Sequence, residues 1–242
     1  MILVYDGSFE GFLTLVYEVY YKKLKAEKIL REIPQLLLME ELITIETDIQ
    51  KATKVLTAIK TKFDKKNFEL ILNIFMCDTK EFEFELLRYI MIGFKDKNEL
   101  FNINNNEVFF LQNLEKELFR SIHKMYGFTR FEELEDNTLY AKIDTKFNLV
   151  YFLGKHFFKR LNNQNFIIHD LKRELAFIKV GQKTSIEKVV DFEQPTLSEN
   201  EEKFTKLWNR FFNAVTIESR ENKKCQQNFV PFIYRTYMTE FL

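Results

Sequence analysis

The stretch TRFEELEDNTLYAKI, residues 129–143, decides the fold of the second half of the chain. Apolar and polar residues alternate through 129–134 and again through 139–143, and Glu135, Asp136, Asn137 and Thr138 between them have turn composition. Two alternating runs about such a cluster predict a β-hairpin. Residues 147–161 then change to the helical period, with Leu149, Phe152, Leu153 and Phe157 on one face. Strand composition returns at 165–170 and 174–180, on either side of Leu171-Lys172-Arg173. The expectation is a β-β-α-β-β unit forming a small antiparallel or mixed sheet.

Working outward, residues 64–127 read as almost wholly helical. Asp78 and Glu81 are spaced as a helix cap, and 102–106 is an Asn-rich turn before a long helix over 108–125. The alternating run Glu81-Phe82-Glu83-Phe84-Glu85 is assigned to helix because Leu86-Leu87-Arg88-Tyr89-Ile90 continues it with helical period. At the start, Ile2 to Tyr5 reads as a strand and Asp6-Gly7-Ser8 as a turn, with Ser8 capping a helix whose apolar face carries Phe9, Phe12, Leu13 and Val16. A second strand is expected at 43–46, and Thr47 with Gln50 has the spacing of a capping box opening a helix to about 63. Beyond the sheet unit, 189–200 with Pro195 is a linker or surface loop, 201–217 is a helix, and short elements follow. The fold class is therefore α+β: a mostly helical N-terminal half, then the sheet unit with further C-terminal helices. At ~150 residues per domain, 242 residues suit either two domains, 1–110 and 111–242, or one continuous globule.

Composition removes several classes of function. Hydrophobic residues make up 46% and charged residues 30%, so a sizeable core is available, rich in rings from 27 Phe. Lys plus Arg equals Asp plus Glu at 36 each, which excludes a uniformly basic nucleic-acid binder and leaves only a local patch. That patch belongs in the second half, because residues 1–110 hold 15 basic against 18 acidic side chains and residues 111–242 hold 21 against 18. The six glycines form neither GxGxxG nor GxxxxGK[ST]. Two cysteines, Cys77 and Cys225, build neither a disulfide framework nor a four-thiolate metal site. The opening residues have no basic n-region and no run is apolar enough to span a bilayer, so the expected location is the cytoplasm, with no membrane partner.

Candidate contacts with a polyanion follow from residue type. His156 and Arg160 are four apart on one helical face, between Lys155 and Lys159, where a phosphate or a flipped base fits. Lys124, Arg130 and Arg173 lie on neighbouring elements of the same half, and Arg220, Asn222 and Gln226 combine an arginine fork with amides suited to base edges. Asp6, Gly7 and Ser8 are a phosphate candidate at a helix N-terminus, against the alternative of a structural strand–helix joint. His169-Asp170 is a weak dyad, since adjacent strand residues point to opposite faces. Trp208 could stack on a base, but Leu207, Phe211 and Ala214 on its helix favour a core position. No metal or cofactor is expected, and no catalytic residue stands out.

Two sets of strings resemble a known family. The opening Tyr5-Asp6-Gly7-Ser8-Phe9-Glu10-Gly11-Phe12-Leu13 resembles the start of a bacterial family of probable DNA metabolism or putative DNA repair proteins. The run 123–131 (HKMYGFTRF), residues 155–160 (KHFFKR), 207–212 (LWNRFF), 218–222 (ESREN), 226–231 (QQNFVP) and 239–241 (TEF) resemble that family's C-terminal domain of unknown function. After Pro231 the family tends to basic residues and a tryptophan, where this chain has Phe232, Ile233 and Arg235. The resemblance implies a two-protein system whose other member is a radical-SAM protein with a DNA-binding region. It also implies a link to base lesions, because a related domain occurs fused to a uracil-DNA glycosylase-like domain.

Three functions follow as expectations. The first is a DNA-binding or scaffolding subunit that serves the radical-SAM partner. A radical-SAM cluster needs three close cysteines, so with two this chain is not the radical enzyme. The second is a DNA-processing hydrolase, glycosylase- or nuclease-like, and the third an interaction module without nucleic acid.

Overall fold

β1 (Ile2–Val4) is a run of three apolar residues, all buried, and it stands at the centre of a parallel sheet. In this computed structural model, residues 1–33, 41–190 and 195–241 are described. They fall into two compact units, 1–118 and 119–242. The linker expected at 189–200 lies partly outside the described residues.

In the first unit, β1 is flanked by β2 (Lys28–Leu30) and β3 (Leu42–Thr44), with Leu3 opposite Ile29 and Ile43. β2 was not expected from sequence. Its three residues expose Lys28 and bury only Ile29, too short a run for alternation to register. Gly7 turns the chain at φ +76, and Ser8 caps α1 (Phe9–Lys22) by accepting from the Gly11 N–H. The cap of α2 (Ile49–Lys62) is Asp48, which accepts from the N–H groups of Gln50 and Lys51. The expected cap residue Thr47 instead donates to Asp6 Oδ2 at 2.7 Å. Asp64 caps α3 (Lys65–Phe75). The run 81–85 is helical only from Glu83, where α4 (Glu83–Lys95) begins, and the Asp78–Glu81 cap does not form. Glu83 itself accepts from the Phe82 N–H, from Arg31 and from the Tyr5 hydroxyl. A short 3-10 helix (Lys97–Phe101) leads to α5 (Asn106–Phe128). The core is built on a ring chain in which Phe75 meets Phe9, Phe12 and Phe82.

The second unit is a mixed five-stranded sheet of order β4-β5-β6-β7-β8. The hairpin of 129–143 is present as β4 (Glu132–Glu133) and β5 (Leu139–Ile143). β4 is short because Thr129 is still held to α5, its N–H and hydroxyl both donating to the Met125 carbonyl. β5 pairs parallel with β6 (Phe166–Asp170) through the crossover helix α6 (Val150–Arg160), and β7 (Leu175–Val180) returns antiparallel. α6 lies on the sheet by Leu153 and Phe157, which are buried, while Phe152 is half-buried where a buried ring was expected. Gly154 permits that approach: a Cβ there would lie 2.1 Å from the Phe177 ring. The edge strand β8 (Lys183–Lys188) was missed in the sequence, because its six residues are polar but for Ile186. It is recruited by a turn at Gly181, φ +59, which sets Val180 opposite Lys183. Lys179 is buried and donates to the carbonyls of Asn162 at 3.0 Å and Gln164 at 2.7 Å, just beyond the end of α6. Then follow α7 (Glu201–Ala214), a 3-10 turn (Glu218–Arg220), α8 (Lys223–Phe229) and two 3-10 segments (Phe232–Tyr237, Thr239–Phe241).

Candidate nucleic-acid interface

α7 carries Phe204, Leu207, Trp208 and Phe211 at helical spacing of i, i+3, i+4 and i+7, which gathers them on one face. That face is not in the core. Its side chains are between 40% and 58% exposed, and none of the residues of α7 is buried. The core position expected for Trp208 therefore gives way to a wall position in the groove described next. α7 is held by its first turn, where Glu201 Oε2 accepts from the Glu133 N–H at 2.7 Å. Between this face and the ends of α5 and α6 lies a groove of about 870 Å³, within the ~300–1,000 Å³ of typical ligand sites. Tyr126, Arg130 and Arg160 are among its other lining residues.

The two arginines differ in state. Arg130 donates through Nε and Nη2 to Glu240, at 3.2 and 2.6 Å, and through Nη1 to the Gly127 carbonyl at 2.6 Å. Its guanidinium also sits 5.7 Å from the centre of the Trp208 ring. Glu240 is 4% exposed and accepts as well from Trp208 Nε1 at 3.1 Å. One buried carboxylate thus fixes both an arginine and the indole. Arg160, by contrast, is exposed and makes no hydrogen bond or ion pair among the described residues.

His156 does not project freely beside Arg160. Its imidazole stacks on Tyr126 with ring centres 3.8 Å apart and an interplanar angle of 13°. Nε2 is buried with no hydrogen-bond partner among the described residues. Burial first, and then the positive charge of Arg160, hold its pKa below the usual histidine value, so the stacked ring is neutral at pH 7.

The other expected residues fall elsewhere. Lys124 is exposed, its ammonium 5.7 Å from the Tyr234 ring centre. Arg173 is 9% exposed and bound to Asp170 and to the carbonyls of Thr145 and Lys146. Arg220, Asn222 and Gln226 line a separate, open cavity of about 400 Å³, with Asn222 capping α8 by accepting from the Cys225 N–H. In the first unit, Asp6 accepts from the Ser8 N–H and hydroxyl and from Thr47, and Gly7 supplies the positive φ. Burial raises the Asp6 pKa, but the bonds from Ser8 and Thr47 outweigh it and leave the carboxyl below its usual range. These three residues make the strand–helix joint weighed above as the alternative. Of the basic set, the structure brings Arg130 and Arg160 to one groove. Tyr126, Phe204, Phe211 and Glu240 were not among the site residues expected from sequence. The aromatic spacing in α7 was visible, but nothing in it distinguished an exposed face from a buried one.

The Glu240 clamp has a testable pH dependence. Burial raises the Glu240 pKa, yet donation from Arg130 and Trp208 overcomes this and holds it below the ordinary value. A depressed folded-state pKa means that the clamp is complete at neutral pH and is lost as pH falls through the folded value, below ~4.3. Trp208 is the only tryptophan, so its emission should shift to the red in that acid window. In Arg130→Gln the transition should move to higher pH. An unchanged midpoint would separate the indole from the clamp.

Residues 80–240 match the model of a family described as a domain of unknown function, DUF4130. No curated protein matches the chain. No helix among the described residues is long and apolar enough to cross a membrane.

Proposed function

The chain belongs to the DUF4130 family, a domain of unknown function, and from that premise we propose that it is a cytoplasmic DNA-binding subunit of DNA repair or DNA metabolism. In this reading it presents DNA to a radical-SAM partner that supplies the chemistry. The observation that carries it is the groove of the second unit, whose lining includes both the exposed Trp208 and Arg160, which has no ion pair among the described residues. A guanidinium suits a phosphate, and an exposed indole suits a base taken out of its stack. The resemblance of the opening and C-terminal strings supplies the link to DNA lesions and to the partner. The alternative, a base-lesion hydrolase, draws less support from the groove. Of the lining carboxylates Glu133 and Glu201, Glu201 is engaged by the Glu133 N–H and the Thr205 hydroxyl, and Glu240, which holds Arg130 and Trp208, is not in the lining.

Titrating a short single-stranded oligonucleotide should quench the Trp208 emission. Loss of one stacked base costs about 1–3 kcal/mol, so Trp208→Ala should weaken binding roughly tenfold or more. Arg160→Ala should weaken it too and lower the salt slope by about 0.7, one phosphate contact on a single strand. Equal affinity and slope in both variants, with intact circular dichroism, would sink the proposal. Cleavage or base release by the protein alone would favour the hydrolase.

A further inference from the structure

The first unit, although acidic in sum, carries a face of the opposite character. α1 places Tyr17, Tyr20 and Tyr21 near its C-terminal end, and Tyr20 and Tyr21 are 49% and 65% exposed. The rings are organised: Tyr17 and Tyr21 lie 4.3 Å apart at 34°, and Tyr20 meets both Tyr21 at 5.3 Å and Phe94 of α4 at 6.0 Å. Two adjoining cavities, of about 160 and 540 Å³, share Tyr20 and Phe94 in their walls.

Cations border these rings. Lys51 and Lys54 of α2 sit 5.8 and 5.9 Å from the Tyr17 ring centre, and Lys62 sits 5.5 Å from that of Phe94. Arg88 and Lys95 of α4 line the larger cavity. The acids of this face are already paired: Glu18 with Lys22 and Lys51, Asp48 with Lys51, and Glu107 with Arg88. Lys54, Lys62 and Lys95 make no ion pair among the described residues, so the face keeps an uncompensated positive charge.

Exposed rings interleaved with unpaired ammonium groups are the make-up of a single-strand platform, in which bases stack on the rings and phosphates meet the cations. We infer that the α1–α2–α4 face is a second nucleic-acid site, one that holds a segment of single-stranded nucleic acid by stacking on Tyr20 and Tyr21 and by phosphate contacts to Lys54 and Lys62. The charge selects this occupant. An apolar protein segment would match the rings but leave the three lysines facing nothing.

The test uses the full chain and a 5′-fluorescein oligonucleotide, and it is run both in the native protein and in Arg160→Ala/Trp208→Ala. That background separates this site from the groove of the second unit, so failure of one reading leaves the other measurable. In the background protein, residual binding should persist. Adding Lys54→Gln and Lys62→Gln should lower the salt slope by about 1.4, at ~0.7 per phosphate contact on a single strand. Tyr21→Ala, at a largely exposed position, should weaken binding roughly tenfold without changing the slope. With 5-iododeoxyuridine in the strand, photo-cross-links should map to the peptide holding Tyr20 and Tyr21. Cross-links confined to residues 119–242, or an unchanged slope in the lysine variants with intact circular dichroism, would overturn the inference. So would lysine variants that lose binding to an acidic polypeptide while keeping the oligonucleotide, which would make this a protein-docking face.

Discussion

Arg173→Ala is expected to cost the second unit about 3–5 kcal/mol of stability, the range for removing one partner of a buried ion pair. Arg173 Nη1 donates to Asp170 Oδ2 at 2.8 Å and to the Thr145 carbonyl at 3.0 Å, and Nη2 donates to the Lys146 carbonyl at 2.9 Å. The side chains of Arg173 and Asp170 are 9% and 0% exposed. The guanidinium therefore ties the β6–β7 turn to the segment that leads into α6. Alanine takes the positive charge from beside a fully buried carboxylate and leaves two carbonyls without this donor. Urea unfolding measures the loss. Arg173→Lys should recover only part of it, because an ammonium cannot reproduce the fork that spans Asp170 and both carbonyls. A loss below about 1 kcal/mol would place Arg173 in the surface ion-pair class instead.

Gly154→Ala should also destabilise, although alanine in an open helix interior gains about 1 kcal/mol over glycine. Here the new Cβ would meet three Phe177 ring atoms at 2.1 to 2.4 Å. Phe177 has no free direction, being 5% exposed and stacked on Phe166 at 5.8 Å. Overpacking of this kind costs about 1–3 kcal/mol, occasionally more, so against the propensity gain a net loss of up to about 2 kcal/mol is expected. Removing the ring should relieve it. The double variant Gly154→Ala/Phe177→Leu should lose less than the sum of the single losses, and additive losses would show that the helix accommodates the methyl by another route.

These variants separate support from contact. From sequence, Arg173 and Arg160 are alike: two arginines near two turns of one basic half. In the fold, Arg173 is spent on Asp170 and on backbone carbonyls, while Arg160 makes no hydrogen bond or ion pair among the described residues. Helix spacing placed Arg160 beside His156 correctly, yet it could not tell that Tyr126, thirty positions earlier, takes the imidazole into a stack.

Local pattern determined the elements. Period-two alternation announced β4 and β5, the 3.6 period announced α6, and Ser8 and Gly7 announced the first helix and its turn, because each rests on interactions within a few residues. Three kinds of fact were decided only in the tertiary structure. β2 and β8 are strands because they lie beside β1 and β7, whose backbone groups need partners that neither short run advertises. Trp208 is a wall of the groove, not a core residue, and its indole is held by Glu240 from 32 positions away. The charge state of the second unit's groove depends on Glu240, which meets Arg130 from 110 positions away. Hydrogen bonds and ring contacts act over a few ångströms of space, whereas the separations that decide them along the chain carry no periodic signal.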